Sequence, residues 1–180
     1  MSSLWIKITV LTVLSFWVLV SCEEKEESTP QKNVRWTKDQ SSEFGKSIAK
    51  EEELAIKLYL KNRPHWEMKE TGTGLRYWIY DQSGDTLNPL PGNTVEVEFE
   101  VRLLDDSLCY ATDEGEVSAF LVDKSHVESG VQEAVKYLSR GDRAKLIIPQ
   151  HLAHGLLGDM KKIPPLQTLI VDIHLIEIKK

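Results

Sequence analysis

The hydrophobic pattern of the chain divides it into three kinds of segment. Residues 8–20 form a continuous apolar run, residues 41–63 carry apolar side chains at the helical spacing, and residues 75–178 contain short stretches of alternating apolar and polar positions. The first run is too short to span a bilayer, whereas alternation with a period of two residues is typical of strands that bury one face. The pattern therefore predicts a leader, a helix and a sheet-rich domain, in that order.

The predicted helix covers residues 41–63. Its apolar side chains fall on one face at a period of 3.6 residues, and the glutamates at 51–53 lie mostly outside that face. Ser41 or Ser42 is in position to cap it, and Pro64 ends it because proline cannot continue the hydrogen-bond ladder. Two roles stay open: the helix packs on its own domain as a spacer, or it joins two copies into a homodimer through residues 41–63. The predicted apolar face consists of Phe44, Ile48, Ala55, Leu58 and Tyr59.

The strand signal is clearest between Thr94 and Leu103, where apolar residues alternate strictly with glutamate and arginine. This alternation predicts a sheet with one buried and one solvated face. An apolar stripe at spacing i, i+3, i+4 and i+7 predicts one helix over residues 127–138. The whole pattern predicts an α+β fold in which an antiparallel twisted sheet wraps around one short helix. The other predicted strands are residues 75–80, 108–112, 119–122, 144–148 and 168–178.

The same pattern sets the predicted domain boundaries. Residues 1–21 are predicted to be a signal peptide, 22–40 a flexible acidic tether, 41–70 an N-terminal helical segment and 71–180 the folded domain. The tether follows from its low apolar content and its acidic start. The chain is 41% hydrophobic, which is ordinary for a globular protein, and its net charge of −6 offers no basic surface for nucleic acid.

The leader carries a further motif at its end. Lys7 precedes the apolar run, and the run stops at Leu19-Val20-Ser21-Cys22. This tetrapeptide resembles a bacterial lipobox, which implies cleavage before Cys22, acylation of its sulfur and a membrane anchor in the cell envelope, in the outer membrane facing the periplasm or the surface. An ordinary signal peptide and an uncleaved anchor are the alternatives. An acylated Cys22 cannot pair with Cys109, the only other cysteine, so no intrachain disulfide is expected.

Spaced motifs in the C-terminal half carry a family resemblance. In order, they are Gly92 before the alternating strand, Gly141–Leu146 (GDRAKL), Ala153 with Gly155, and Ile163-Pro164-Pro165. Together they resemble peptidyl-prolyl cis-trans isomerases of the FK506-binding-protein (FKBP) type. Residues 103–112 and 123–130 look most similar to FKBP-like lipoproteins of gliding bacteria. The resemblance implies rotation about X–Pro bonds, a reaction that needs an apolar slot and a few hydrogen-bond donors but no cofactor.

The resemblance also implies a set of site residues. His154 and Tyr110 are the expected catalytic donors. His154 stands where the family has tyrosine, and Cys109-Tyr110 replaces its usual Phe-Asp pair. Val131 and Val171 replace larger side chains, so the slot is expected to be wider, less aromatic and without its usual carboxylate. The expected substrate-binding residues are Phe99, Cys109, Phe120, Val127, Glu128, Val131, Ile163 and Val171.

Two functions follow as expectations. The first is a membrane-anchored isomerase that assists the folding of proline-containing exported polypeptides, including parts of a gliding or secretion apparatus. The second is an FKBP-fold chaperone or assembly subunit with little isomerase activity, which the altered slot favours. No metal site is expected, because His151 and His154 have no third ligand at a suitable spacing.

Overall fold

The computed structural model describes residues 37–180. The predicted signal peptide, Cys22 and most of the tether lie outside the described residues. The chain divides into two compact units after Lys38, and the elements below belong to the second, Asp39–Lys180, except for the first residue of α1. The elements are α1 (Lys38–Lys61), β1 (Lys69–Glu70), β2 (Arg76–Asp81), β3 (Thr94–Arg102), β4 (Leu108–Ala111), β5 (Ser118–Leu121), α2 (Ser129–Ala134), β6 (Arg143–Ile148) and β7 (Leu169–Lys179), with 3-10 turns at Val135–Tyr137 and Gln150–Leu152.

All seven of these strands form one antiparallel sheet: six follow the order β1-β2-β6-β7-β3-β4, and β5 pairs with β3 outside this order. The long strand β3 pairs with β7 along its whole length, from Thr94 opposite Lys179 to Arg102 opposite Ile170. On its other side β3 pairs with β5 through residues 94–97 and with β4 through residues 100–102. The predicted α+β architecture is confirmed.

The main core lies between the inner face of the sheet and α2. The apolar stripe predicted for this helix is buried at Ala134, Val135 and Leu138. The α-helix itself is shorter than predicted, since its last turn continues as a 3-10 helix and Leu138 is extended. Gly130 allows the close approach, because a Cβ there would stand 2.3 Å from Ile148 Cγ2.

The outer face of the sheet is only partly solvated. Ile147 of β6 and Ile170 of β7 point to this face, where Ile56 and Tyr59 of α1 cover them. The predicted helix face was therefore wrong in detail: Ile56 is buried, whereas Leu58 is 56% exposed. The burial of both sheet faces could have been predicted from β6 and β7, because a strand with apolar residues at successive positions buries both of its faces.

The ends of α1 also differ from the prediction. The helix begins at Lys38 and ends at Lys61, so Ser41 and Ser42 lie within it and do not cap it. Glu52 and Glu53 are half-buried and face the domain, contrary to the expectation that the glutamates point away. Strand β1 was not predicted, because it has only two residues and both are polar. No helix within residues 37–180 is long and apolar enough to cross a membrane.

Candidate functional site

An apolar cavity of about 350 Å³ opens on the inner face of the sheet. We call this cavity the slot, and we call residues 149–168, which connect β6 to β7, the flap. Glu128, Tyr110 and Ser118 bring the polar side chains to a wall that is otherwise aliphatic or aromatic. Such a cavity suits an apolar group of a ligand held by a small number of polar contacts. The slot is lined by Val97, Phe99, Val101, Tyr110, Ala111, Ser118, Ala119, Phe120, Val127, Glu128, Val131, Ile163, Leu169, Val171 and Ile173.

The alternating pattern of β3 builds the floor of the slot. Its residues Val97, Phe99 and Val101 share one face, because side chains in a strand alternate between faces. Phe99 stands opposite Ile173 of β7, and Val101 stands opposite Val171. These cross-strand pairs fix the positions of the floor residues relative to one another.

The loop before α2 forms one wall with Val127 and Glu128. Glu128 has an extended backbone (φ −50°, ψ 135°), and its carbonyl accepts the N–H groups of Val131 and Gln132 at 3.0 Å each. The buried amide of Gln132 holds the loop from behind: its Oε1 accepts the N–H of Asp123 at 2.8 Å, and its Nε2 donates to the carbonyl of Ser125 at 3.2 Å. Sequence reasoning missed Gln132, whose polar side chain inside an apolar helix was the available signal.

Tyr110 and the flap meet through Asp159, another residue that sequence reasoning missed. Tyr110 Oη donates a hydrogen bond to Asp159 Oδ2. Asp159 Oδ1 accepts the backbone N–H groups of Lys161 at 2.9 Å and Ile163 at 2.7 Å. Asp159 therefore joins β4 to the segment of the flap that places Ile163, which is 3% exposed, against the slot. We call the Tyr110–Asp159 contact the clasp.

The electrostatics of the clasp follow from these bonds. Burial raises the pKa of Asp159, but hydrogen bonds from Tyr110 and from the N–H groups of Ile163 and Lys161 outweigh it and hold that pKa well below its usual range. The same hydrogen bond, together with burial, raises the pKa of Tyr110. At neutral pH the clasp is thus a neutral phenol that donates to a carboxylate.

His154 lies beside the slot and is not one of its lining residues. Its Nε2 is 2.9 Å from Glu128 Oε1, so it links the flap to the loop before α2. The contact is an ion pair when both ring nitrogens of His154 carry a proton. The structure thus places the polar contact of His154 at the rim, and its expected role as a donor to the substrate stays a prediction.

Cys109 is the other predicted residue that does not line the slot. It is buried in the main core, and its Sγ lies 3.7 Å from the carbonyl oxygen of Lys162. Burial raises the pKa of its thiol, with a further contribution from nearby Asp159. Cys109 therefore belongs to the packing beneath the flap. The other predicted substrate-binding residues, seven in all, do line the slot: Phe99, Phe120, Val127, Glu128, Val131, Ile163 and Val171.

Within residues 37–180, no group of three or more His, Cys, Asp or Glu side chains has the arrangement needed for a metal ion. The imidazole of His151 is engaged elsewhere, with Nε2 3.0 Å from the carbonyl oxygen of Thr73.

Residues 86–176, half of the chain, match the family model of FKBP-type peptidyl-prolyl cis-trans isomerases. The chain belongs to this family.

Its relatives include the FKBP-type peptidyl-prolyl cis-trans isomerase FkpA of Escherichia coli, which is 33% identical over 113 residues, or 62% of this chain and 40% of that protein. Outer membrane protein MIP of Legionella longbeachae is 30% identical over 141 residues, or 78% of this chain and 59% of that protein. The chain thus spans about half the length of the curated relatives it matches.

A crystal structure supports the fold. FkpA from Escherichia coli superposes with a TM-score of 0.63 at 24% identity, covering 99% of this chain and 74% of that one. At this level of identity the likeness concerns the fold alone, so the activity has to be argued from the site.

Proposed function

We propose that the chain catalyses cis–trans isomerisation of X–Pro bonds. The observation that carries this proposal is the slot itself, an apolar cavity of about 350 Å³ between the sheet and the flap. Rotation about the amide bond has a barrier of about 18–20 kcal/mol, because the twisted bond loses its resonance. The twisted state is less polar than the planar amide, so an apolar slot stabilises it relative to the ground state.

The lining residues have different proposed roles, which depend on their chemistry. Phe99 and Phe120 provide the aromatic surface for the prolyl ring, and Ile163 closes the slot from the flap. The backbone N–H of Glu128 stands at the start of α2 and would donate to a substrate carbonyl, as the family resemblance implies. A donor aimed at a carbonyl oxygen steers one geometry of the bound peptide.

Tyr110 takes a different part from the donor role expected for it. A phenol has a single hydrogen to donate, and Tyr110 directs it to Asp159. Its hydroxyl therefore holds the flap, while its ring contributes to the slot wall. In this proposal Tyr110 acts on the substrate through its ring and through the position of Ile163.

A chaperone or assembly subunit with little isomerase activity is the second candidate. The aliphatic side chains of Val101, Val131 and Val171 favour it, because they leave phenylalanine and tyrosine on only part of the slot wall. A wide aliphatic slot holds an apolar side chain without forcing one amide geometry.

Refolding of a model protein whose slow phase is limited by proline isomerisation distinguishes the two candidates. An isomerase shortens this phase, which otherwise takes tens of seconds or longer. Phe99→Ala should remove most of the acceleration, and Leu121→Ala, at an exposed position of β5, serves as the matched control. Suppressed aggregation without any acceleration would favour the chaperone.

We further propose that the protein is anchored in the cell envelope through acylated Cys22 and acts on exported polypeptides, including gliding or secretion components. The lipobox-like residues 19–22 support the anchor. One relative is named as an outer membrane protein, which is compatible with this location. The likeness of residues 103–112 and 123–130 to gliding lipoproteins supports the choice of client.

We also propose a homodimer through residues 41–63. On α1, Leu54 is 59% exposed and Leu58 is 56% exposed, on the side of the helix turned away from Ile56. Two adjacent copies of this surface would remove these side chains from water. Sedimentation at several protein concentrations tests the dimer: Leu54→Lys with Leu58→Lys should leave monomers, and an unchanged association constant in this variant would exclude the interface.

A further inference from the structure

Helix α1 contacts both ends of the flap through one carboxylate. Glu52 Oε1 accepts the backbone N–H of Gln150 at 2.6 Å and the hydroxyl hydrogen of Thr168 at 2.6 Å. Gln150 is the second residue of the flap and Thr168 is its last. These two residues are far apart along the chain, but they are brought together because Ile148 pairs with Leu169 at the ends of β6 and β7.

Both partners of Glu52 need an acceptor. Gln150 is the first residue of a 3-10 turn, where N–H groups lack a partner inside the turn, and this turn has no side-chain cap of its own. Thr168 is 3% exposed, so its hydroxyl cannot turn to bulk water. A charged acceptor satisfies both groups at once, and hydrogen bonds to a charged group are roughly twice as strong as neutral ones.

The segment between these two ends carries the contacts of the slot rim. His154, Asp159 and Ile163 all lie on the flap. The β6–β7 pair already holds the base of the flap, and the bonds to Glu52 restrain its first and last residues further. A more restrained flap keeps Ile163 closer to the geometry the substrate needs. The contact at Glu52 is therefore placed to act on the slot from the opposite side of the sheet.

The same helix also holds the turn that leads into Tyr110. Arg63 Nη2 donates to Asp106 Oδ1 at 2.9 Å and Oδ2 at 2.7 Å, and Tyr59 Oη donates to Asp106 Oδ1 at 3.1 Å. Asp106 lies in the turn between β3 and β4. Helix α1 thus contacts the turn that leads to Tyr110 as well as the two ends of the flap that carries Asp159.

We propose that Glu52 is a positioning residue for the isomerase slot, acting through the two ends of the flap. The proposal rests on the proposed isomerase function. Glu52 lies outside residues 86–176, the part that matches the family model, so α1 supplies a contact that this part of the chain does not contain.

The test compares three variants of the full chain. Glu52→Ala removes the acceptor, Glu52→Gln keeps a carbonyl oxygen at the same place, and Glu51→Ala changes an exposed neighbour on the same helix. Amide hydrogen exchange at Gln150 and Ile163 reports on the flap, and kcat and KM for a proline peptide report on the slot. All rates are measured at a temperature at which each variant is fully folded by circular dichroism.

Glu52→Ala should speed exchange at Gln150 by about tenfold or more, and should lower kcat/KM several-fold mainly through KM. Glu52→Gln should recover most of both effects, and Glu51→Ala should match the wild type. Thr168→Val provides a second variant if Glu52→Ala fails to fold, since it removes one of the two hydrogen bonds at similar volume.

Wild-type exchange at Gln150 in Glu52→Ala would overturn the proposal. So would a lower melting temperature with unchanged kcat/KM in the folded variant, which would make Glu52 merely structural. If the wild type shows no isomerase activity at all, the proposed function fails. Exchange at Gln150 and Ile163 then decides whether Glu52 positions the flap.

Discussion

Tyr110 and Asp159 meet across the junction between β4 and the flap, and their hydrogen bond ties the wall of the slot to the residues that cover it. The sequence predicts a slot without its usual carboxylate, because Tyr110 stands where the family has aspartate. The structure brings a carboxylate back from the flap at Asp159, and the hydroxyl of Tyr110 binds it. Tyr110 and Asp159 are thus partners, since either residue without the other would lack this hydrogen bond.

Tyr110→Phe should reduce isomerase activity several-fold while the fold is kept, since it removes the hydroxyl but not the ring. The reason is that Ile163 loses part of the support it receives through Asp159. Activity is measured as kcat/KM on a proline peptide. Tyr80→Phe is the matched control, because Tyr80 Oη donates to Asp172 Oδ1 at 2.8 Å on the outer face of the sheet. Equal losses in the two variants would contradict a specific role for the clasp.

The clasp also predicts a dependence of stability on pH. The folded pKa of Asp159 lies below its unfolded value, so its contribution is fully present above the unfolded pKa of about 3.9 and is lost as pH falls below it. Acid titration of the free energy of unfolding should therefore be shallower in Asp159→Asn than in the wild type. Asp105→Asn is the control, since the pKa of Asp105 is also lowered, by Ser107, but in the turn between β3 and β4. Only Asp159→Asn should also speed amide exchange at Ile163.

Gly158→Ala should damage the flap more than an ordinary turn substitution. Gly158 has φ +66°, and a Cβ there would stand 2.2 Å from the carbonyl oxygen of Ile163. Gly115 has φ +81° with open space around it, so Gly115→Ala carries only the left-handed backbone cost of about 1–2 kcal/mol. Denaturant unfolding should show the larger loss for Gly158→Ala, accompanied by lower kcat/KM. Similar losses in both variants would mean that the flap adjusts around the added methyl group.

The contact between His154 and Glu128 is testable by a double-mutant cycle. His154→Ala and Glu128→Ala should each lower kcat/KM by a few-fold, and the double variant should lose less than the sum of the two, because both remove one contact. Glu128→Ala keeps the backbone N–H proposed to bind the substrate. His151→Ala is the control from the same flap, since its imidazole contacts Thr73. Additive losses in kcat/KM would mean that the two side chains act independently of each other.

The anchor has a direct test in cell fractionation. Cys22→Ala removes the sulfur that would be acylated, so the protein should lack acyl chains. Without them it should be released from membranes, because the acyl chains are the proposed anchor. Cys109→Ala, which alters the other cysteine within the core, should stay in the membrane fraction. Retention of a cleaved, unacylated Cys22→Ala protein in membranes would exclude the lipid anchor.

Apart from β1, the strands were predictable to within a residue or two, and most clearly where apolar and polar residues alternate. Strand β3 is the clearest case, since its inner valines and outer glutamates lie as the period of two requires. The placement of α1 was less predictable. Its sequence offers two adjacent apolar faces, and the choice between them depends on Ile147 and Ile170 in strands far away along the chain.

In the slot, too, some features could be predicted from the sequence and others could not. The apolar lining followed from family positions such as Phe99 and Ile163, whereas the polar contacts did not. Asp159 forms its bonds with a residue 49 positions earlier and with N–H groups of its own loop. No local pattern marks such a carboxylate as structural or functional, so only the folded geometry brings it to Tyr110.

Because α1 covers the outer face of the sheet, it determines where the chain can be truncated without loss of stability. A chain starting at residue 71, the boundary that the sequence predicted for the domain, would expose Ile147 and Ile170 to water. It would also leave the buried Arg76 without Glu53, at 2.7 Å, and without Glu70, at 2.9 Å. Burial of one isoleucine side chain is worth roughly 1.5–3 kcal/mol. A truncated isomerase domain is therefore expected to be less stable and more prone to aggregation than one that retains residues 38–70.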